Sequence, residues 1–159
     1  MGGCGGRARS MNVEFTEQQP AGDANKNWRS CSIAFDGSNV RMIAGAYGGR
    51  LYYYNGSAWA EVQPAGAMNK DWYCCSIAFD GSNVRMIAGA SAGRLYYYNG
   101  SAWAEVQPAG DADKNWRSCS IAFDGSNVRM IAGAYSGRLY SGYEAGAPAS
   151  TGNFFLLFK

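Results

Sequence analysis

A chain of 159 residues with 47% hydrophobic, 14% aromatic and only 16% charged side chains, and with 22 glycines, is one domain's worth of polymer. Charge well below the roughly 25% of an ordinary soluble domain, beside so many aromatics and glycines, excludes a disordered chain or a helical bundle and favours sheets joined by tight turns. A net charge of +2 is too weak to draw nucleic acid or an anionic membrane, so neither is expected as a partner; the lack of histidine removes Ser-His-Asp and Cys-His nucleophiles and His-containing metal sites.

Residues 1–11 read as a flexible leader. Arg7 and Arg9 lack the apolar run of a secretory signal, and Gly6 stands where a myristoylation pattern needs Ser or Thr. The apolar stretch Phe154 to Phe158 is far too short to span a bilayer. A cytoplasmic location is the default expectation.

From residue 12 to 140 the chain repeats itself. Trp28, Trp72 and Trp116 stand 44 residues apart, and the block Ser-Ile-Ala-Phe-Asp-Gly-Ser-Asn-Val-Arg-Met-Ile-Ala-Gly-Ala begins at Ser32, Ser76 and Ser120. Gly-Arg-Leu-Tyr recurs at Gly49, Gly93 and Gly137. A period of this length with strand-type composition predicts β-propeller blades: an all-β chain of three four-stranded antiparallel blades, at about 19–62, 63–106 and 107–140. In the first copy the strands fall at about Trp28 to Phe35, Val40 to Ala46, Arg50 to Tyr54 and Ala58 to Gln63. Turns lie at Asp36-Gly37-Ser38-Asn39, where glycine supplies positive φ and Asp bonds its own backbone, and at Asn55-Gly56. Gly45, inside the second strand, suits a close approach of the next blade. Asn55-Gly56-Ser57 and Asn99-Gly100-Ser101 match the glycosylation pattern, but without a secretion signal they read as plain hairpin turns.

Phe15 stands 44 before Trp59, so 13–18 reads as an outer strand with no blade before it. The repeat stops after Tyr140, and Ala147 stands where a further Trp would fall, so blade three lacks its own outer strand and 141–159 is a divergent tail. A spare strand at one end and a missing one at the other fit velcro closure of a ring. Three blades fall short of the about four to eight that close one, so the expected partner is a second copy, a homodimer of six blades. The alternative is a fragment of a longer array.

The unit Trp…Asp-Gly-Ser-Asn…Ala-Gly…Gly-Arg-Leu-Tyr…Asn-Gly-Ser-Ala-Trp resembles the Asp-box (BNR, sialidase-type) propeller repeats, including the photosystem II assembly-factor-like branch, over about Val13 to Tyr140. The resemblance implies the blade fold. The stretch Tyr53 to Trp59 keeps the turn glycine and Trp of the Asp box but lacks its Ser and Asp, and the box is structural in that family. Sialidases of the fold use an arginine cluster, a Tyr–Glu pair and an acidic acid/base drawn from different blades; this chain has almost no unique residues from which to build such an asymmetric site. Asp36, Asp80 and Asp124 read as turn residues, and Glu61 and Glu105 as outer-strand residues. A degenerate sialidase-type enzyme is therefore the least favoured reading, and no catalytic residue, metal or cofactor is assigned. Cys31, Cys75 and Cys119 repeat in register, which suggests one buried niche rather than a disulfide framework.

The copies differ at few places. Asp23, Ala24, Asn27, Arg29 and Ser30 become Ala67, Met68, Asp71, Tyr73 and Cys74; Tyr47 and Gly48 become Ser91 and Ala92; the third copy has Asp113 for Asn25 and Ser136 for Gly48. These sites lie in the lead into the first strand and in the turn between strands two and three, which share one end of an up-and-down blade. Loops carry function while strands carry packing. The candidate ligand-binding residues on that face are Trp28, Arg29, Tyr47, Trp72, Tyr73, Trp116, Arg117 and Tyr135, flat aromatic and planar cationic groups suited to sugars or protein hot spots. The expected function is a multivalent, non-enzymatic binding module, lectin-like or protein-binding, with one weak site per blade. The alternative is a purely structural propeller with no small ligand.

Overall fold

The structure, a computed structural model, describes residues 13–145. The leader before residue 13 and the end of the tail beyond Ala145 lie outside the described residues. Alternation of Cys31, Ile33 and Phe35 with Ser30, Ser32 and Ala34 makes a two-faced strand, β1 (Trp28–Phe35). The chain then forms β2 (Val40–Ala46), β3 (Leu51–Tyr54) and β4 (Trp59–Val62), an antiparallel sheet in the order β1-β2-β3-β4. The second copy repeats it as β5 (Trp72–Phe79), β6 (Val84–Ala90), β7 (Leu95–Tyr98) and β8 (Trp103–Val106). The third forms β9 (Trp116–Phe123), β10 (Asn127–Ala134) and β11 (Leu139–Ala145), a three-stranded sheet in the order β11-β10-β9. The fold is all-β, with three blade-like sheets. Among the described residues no helix is long and apolar enough to cross a membrane.

Two expectations need correction. Residues 13–18 form no strand: an isolated strand has no ladder to satisfy its backbone, and the segment instead meets the first blade through Trp59 Nε1, which donates to Gln18 Oε1 at 3.2 Å. The third blade does not end at Tyr140. β11 runs on to Ala145, pairing Tyr143 with Arg129 and Ala145 with Asn127, because no Asn-Gly turn interrupts it as Asn55-Gly56 interrupts the first copy. That sheet has three strands among the described residues, not four.

The turns behave as the residues dictate. Gly37 has φ 92°, and Asp36 Oδ1 accepts from the Ser38 and Asn39 amides at 2.9 and 2.7 Å. Asp80 and Asp124 do the same. The sheets stack face to face, with β1, β5 and β9 side by side on the inside. Each junction has its own core. Ile43 and Leu51 of the first blade meet Trp72, Cys75, Ile77 and Met86 of the second; Ile87 and Leu95 of the second meet Trp116, Ile121 and Ala132 of the third. Inner-strand amides that face away from their own sheet are satisfied by serines of the preceding blade. Cys75 N–H donates to Ser30 Oγ at 2.8 Å, Ile77 N–H to Ser32 Oγ at 3.3 Å and Ile121 N–H to Ser76 Oγ at 3.2 Å.

Candidate functional site

The site grows from an irregularity in the innermost strands. β1 pairs with β2 regularly except between Trp28 and Ser30, and β5 and β9 break register at the same place. The extra residue of each bulge is Arg29, Tyr73 or Arg117. A bulge re-aims its side chain and often does so beside functional surfaces. Here it takes the second residue of each inner strand out of the alternation and leaves it at the turn end of the stack.

At that end the blades are tied together. The Tyr47 amide donates to Asn27 O at 2.9 Å within the first blade, and Ser91 and Tyr135 repeat the bond to Asp71 O and Asn115 O. Between blades, Gly49 and Lys70 exchange two backbone hydrogen bonds of 3.1 and 2.9 Å, as do Gly93 and Lys114. Asp71 Oδ1 accepts from the Gly48 amide at 2.8 Å, and Asn115 Oδ1 from the Ala92 amide at 2.8 Å. The two variable segments therefore share one face, as the repeat comparison anticipates, and the turns of the first two blades are each pinned to the lead of the next blade.

On this face the bulge residues interleave. The Arg29 guanidinium lies 5.3 Å from the Tyr47 ring centroid and 5.7 Å from that of Tyr73. The Arg117 guanidinium lies 3.7 Å from the Tyr73 ring centroid and 5.6 Å from that of Tyr135. Tyr47 and Tyr73 meet edge to face at 5.9 Å. The result is a strip, Tyr47–Arg29–Tyr73–Arg117–Tyr135, that crosses all three blades. The Arg29→Tyr73 difference makes the strip possible: a third arginine at that position would set three like charges in a row, whereas the tyrosine separates two by its π-face. Arg29, Arg117, Tyr47 and Tyr135 are exposed and Tyr73 half-buried.

The tryptophans do not belong to it. Trp72 and Trp116 are each 2% exposed and form the floors of the two junctions; edge-to-face contacts with Tyr96 and Tyr140 hold them there. Trp28 is 40% exposed, on a face of the first sheet against which no blade packs among the described residues. The expectation that Trp72 and Trp116 offer ligand platforms is thus corrected: the first residue of each inner strand points into the stack, and the bulge turns only the second outward.

Other ionisable groups are engaged in structure. Asp36 receives Arg41 through Nε at 2.6 Å and Nη2 at 2.5 Å, and its carboxyl lies below the usual range because the Asn39 and Ser38 amides, then Arg41, favour the anion. Burial pushes the Asp80 carboxyl up, but the Asn83 amide and Arg85 outweigh it and the net displacement is downward. Arg129, then the Asn127 and Ser126 amides, bring Asp124 down to about 2. Glu61 and Glu105 face Arg50 and Arg94 at 3.6 and 3.7 Å. Glu144, at the end of β11, contacts Tyr97 and lies 3.2 Å from Arg85 Nη1. Cys75 and Cys119 lie in different junctions: Cys75 Sγ is near Ser30 Oγ and Ile43 O, and Cys119 Sγ near Ile87 O. Burial raises the Cys75 thiol to about 12. Cys119 is raised by its contact with Cys74 and by burial. Cys31, their copy on β1, is exposed.

No family model matches the chain, and no curated protein matches it. A sialidase from Trypanosoma rangeli is similar in structure at 13% identity and a TM-score of 0.42, over 70% of this chain. The chain spans 22% of that sialidase, and a likeness this distant transfers no activity or site.

Proposed function

We propose that the chain is a non-catalytic binding module that takes a glycan or protein partner along the strip Tyr47–Arg29–Tyr73–Arg117–Tyr135. The observation that carries this reading is the alternation of planar cations and aromatic rings across three blades, on the face where the repeats differ. Tyrosine and arginine dominate binding hot spots, since each offers a large flat surface at low cost in side-chain freedom. Exposed cation–π contacts are worth only about 0.5–1 kcal/mol each, so the strip's contribution to folding is modest. The turns beside it in the second and third blades each hold one non-glycine residue with positive φ, Ala92 at 46° and Ser136 at 50°; strain of this kind gathers at functional surfaces. The strip is continuous, which favours one extended site over one site per blade.

The test is binding to glycan and protein arrays by the unmodified chain and by a variant carrying Arg29→Ala, Tyr73→Ser and Arg117→Ala. The expected result is a defined set of bound probes and at least a tenfold loss in the variant, with an unchanged circular dichroism spectrum. Binding that survives all three substitutions, or turnover of a sialoside, would overturn the proposal. A second reading, a purely structural propeller, is favoured by the fact that Arg29–Tyr73 and Arg117–Tyr73 contacts join adjacent blades; it expects the variant to lose thermal stability while the unmodified chain binds no probe.

A further inference from the structure

Residues identical in type and strand position differ in burial according to blade alone. Ile77 and Ile121 are 4% and 6% exposed, while their copy Ile33 is 66% exposed; Leu51 and Leu95 are 0% and 3% exposed, while Leu139 is 69% exposed. Ile77 and Ile121 lie on the face that each blade turns to the one before, Leu51 and Leu95 on the face turned to the one after. Among the described residues, the Ile33 face of the first blade and the Leu139 face of the third are therefore two uncovered halves of a contact that the chain makes twice within itself. Gln18 and Pro20, from the segment before the first blade, line a cavity together with Ile33 and Met42 of that blade.

We propose that these two faces mate head to tail between two copies of this chain. The match extends beyond apolar surface. Gly45 and Gly89 admit the next blade's tryptophan so closely that an added Cβ would stand 2.8 Å from Trp72 Cβ and 2.6 Å from Trp116 Cβ. Gly133 holds the same position on β10 with no tryptophan within 4 Å of that point, and Trp28 is the one repeat tryptophan left 40% exposed. The polar groups correspond as well. Ser118 and Ser120, copies of the serines that accept the Cys75, Ile77 and Ile121 amides, are exposed on β9, and Cys31 and Ile33 occupy the amide positions on β1. A second copy is the occupant we commit to, because it supplies this surface residue for residue. Two copies related by a two-fold axis form two such junctions and six blades, inside the range of about four to eight that closes a propeller. The strand exchange expected from the sequence is not needed. This inference does not depend on ligand binding along the turn-face strip.

The experiment is light scattering on a sizing column with the full chain, Ile33→Lys and Leu139→Lys. The expected masses are about twice 17.1 kDa for the unmodified chain and the monomer for each variant, both variants keeping the circular dichroism spectrum, since the replaced side chains are exposed. Mixed together, the two variants share one intact junction and form a weaker mixed dimer, which an isologous contact through either face alone would not produce. A covalent trap gives an independent readout. Ser118→Cys sets a thiol opposite the neighbour's Cys31 as Cys74 is set against Cys119, so oxidised glutathione, itself reduced to two thiols, is expected to yield a linked dimer that adding Leu139→Lys abolishes. A monomeric unmodified chain at its highest soluble concentration, or a dimer that survives Leu139→Lys, overturns the proposal.

Discussion

At Gly45 and Gly89 the absence of a single carbon decides how closely two blades approach. The obstacle to a Cβ at Gly45 is Trp72 Cβ at 2.8 Å and its carbonyl oxygen at 3.2 Å, both carried by backbone and unable to swing aside. Gly45→Ala is expected to destabilise the chain by about 1–3 kcal/mol, the usual range for overpacking, read as a lower urea midpoint. Gly133→Ala is the control: its Cβ would meet the Ser118 hydroxyl at 2.8 Å, a group that can rotate, so the expected loss within one chain is smaller, and under the proposed mating the substitution is expected to weaken self-association. The opposite case is the turn in which Gly48, with φ 59°, is replaced by Ala92 and Ser136 at 46° and 50°. A left-handed L-residue costs about 1–2 kcal/mol, part of which a glycine gives back through its freer unfolded chain. Ala92→Gly and Ser136→Gly are each expected to raise the melting temperature slightly; an unchanged or lower value would mean that these turns are not strained.

At the scale of the element, the β1–β2, β5–β6 and β9–β10 hairpins share one device. The aspartate closes the turn through two amides and clamps the arginine five residues on, at 2.5–2.6 Å. All three carboxyls are displaced downward, Asp124 to about 2. A folded-state pKa below the unfolded value of about 3.9 means that the unfolded chain binds more protons. The stabilisation is therefore present above about pH 4 and is lost as the pH falls toward 2. Melting temperature measured across that window should fall with acidification, and Asp36→Asn, Asp80→Asn and Asp124→Asn together should flatten the dependence while lowering stability at neutral pH. The bulge is the other recurring device. It separates two adjacent residues into different roles, Trp72 into the junction and Tyr73 onto the face, which strict alternation would also place on opposite sides but without the outward turn that brings Tyr73 to Arg29 and Arg117.

For the whole molecule, stability resides in the junctions between sheets, because each thin sheet can bury its faces only against a neighbour. Trp72→Ala removes the largest side chain of the first junction, and a loss of about 3–5 kcal/mol, the range for a fully buried large aromatic, is expected from urea unfolding. A loss under about 1 kcal/mol would show that the junction can collapse around the gap. The same dependence on neighbours makes the two outer faces the least satisfied surfaces of the described stack, which is the physical ground for the proposed self-mating of those faces.

Much of this was legible in the residues. The 44-residue period, the alternation along Trp28 to Phe35 and the Asp-Gly and Asn-Gly turns specify blades, their strand order and the close-approach role of Gly45, since these are local properties of φ, ψ and side-chain period. The two variable segments could likewise be assigned to one face by counting strands. Tertiary structure decided what depends on which face meets which. Trp28, Trp72 and Trp116 hold one position of the repeat, yet two are core and one is half exposed, because burial belongs to the neighbouring blade rather than to the residue. Residues 13–18 carry a strand's pattern but form none, since a strand exists only against an edge that will pair with it. β11 overruns its copies because continued pairing with β10 prevails where no turn residue stops it. The bulge that makes a strip of Arg29, Tyr73 and Arg117 leaves no mark in the sequence, because it arises from how the inner strand is paired to the next and not from the residues that it displaces.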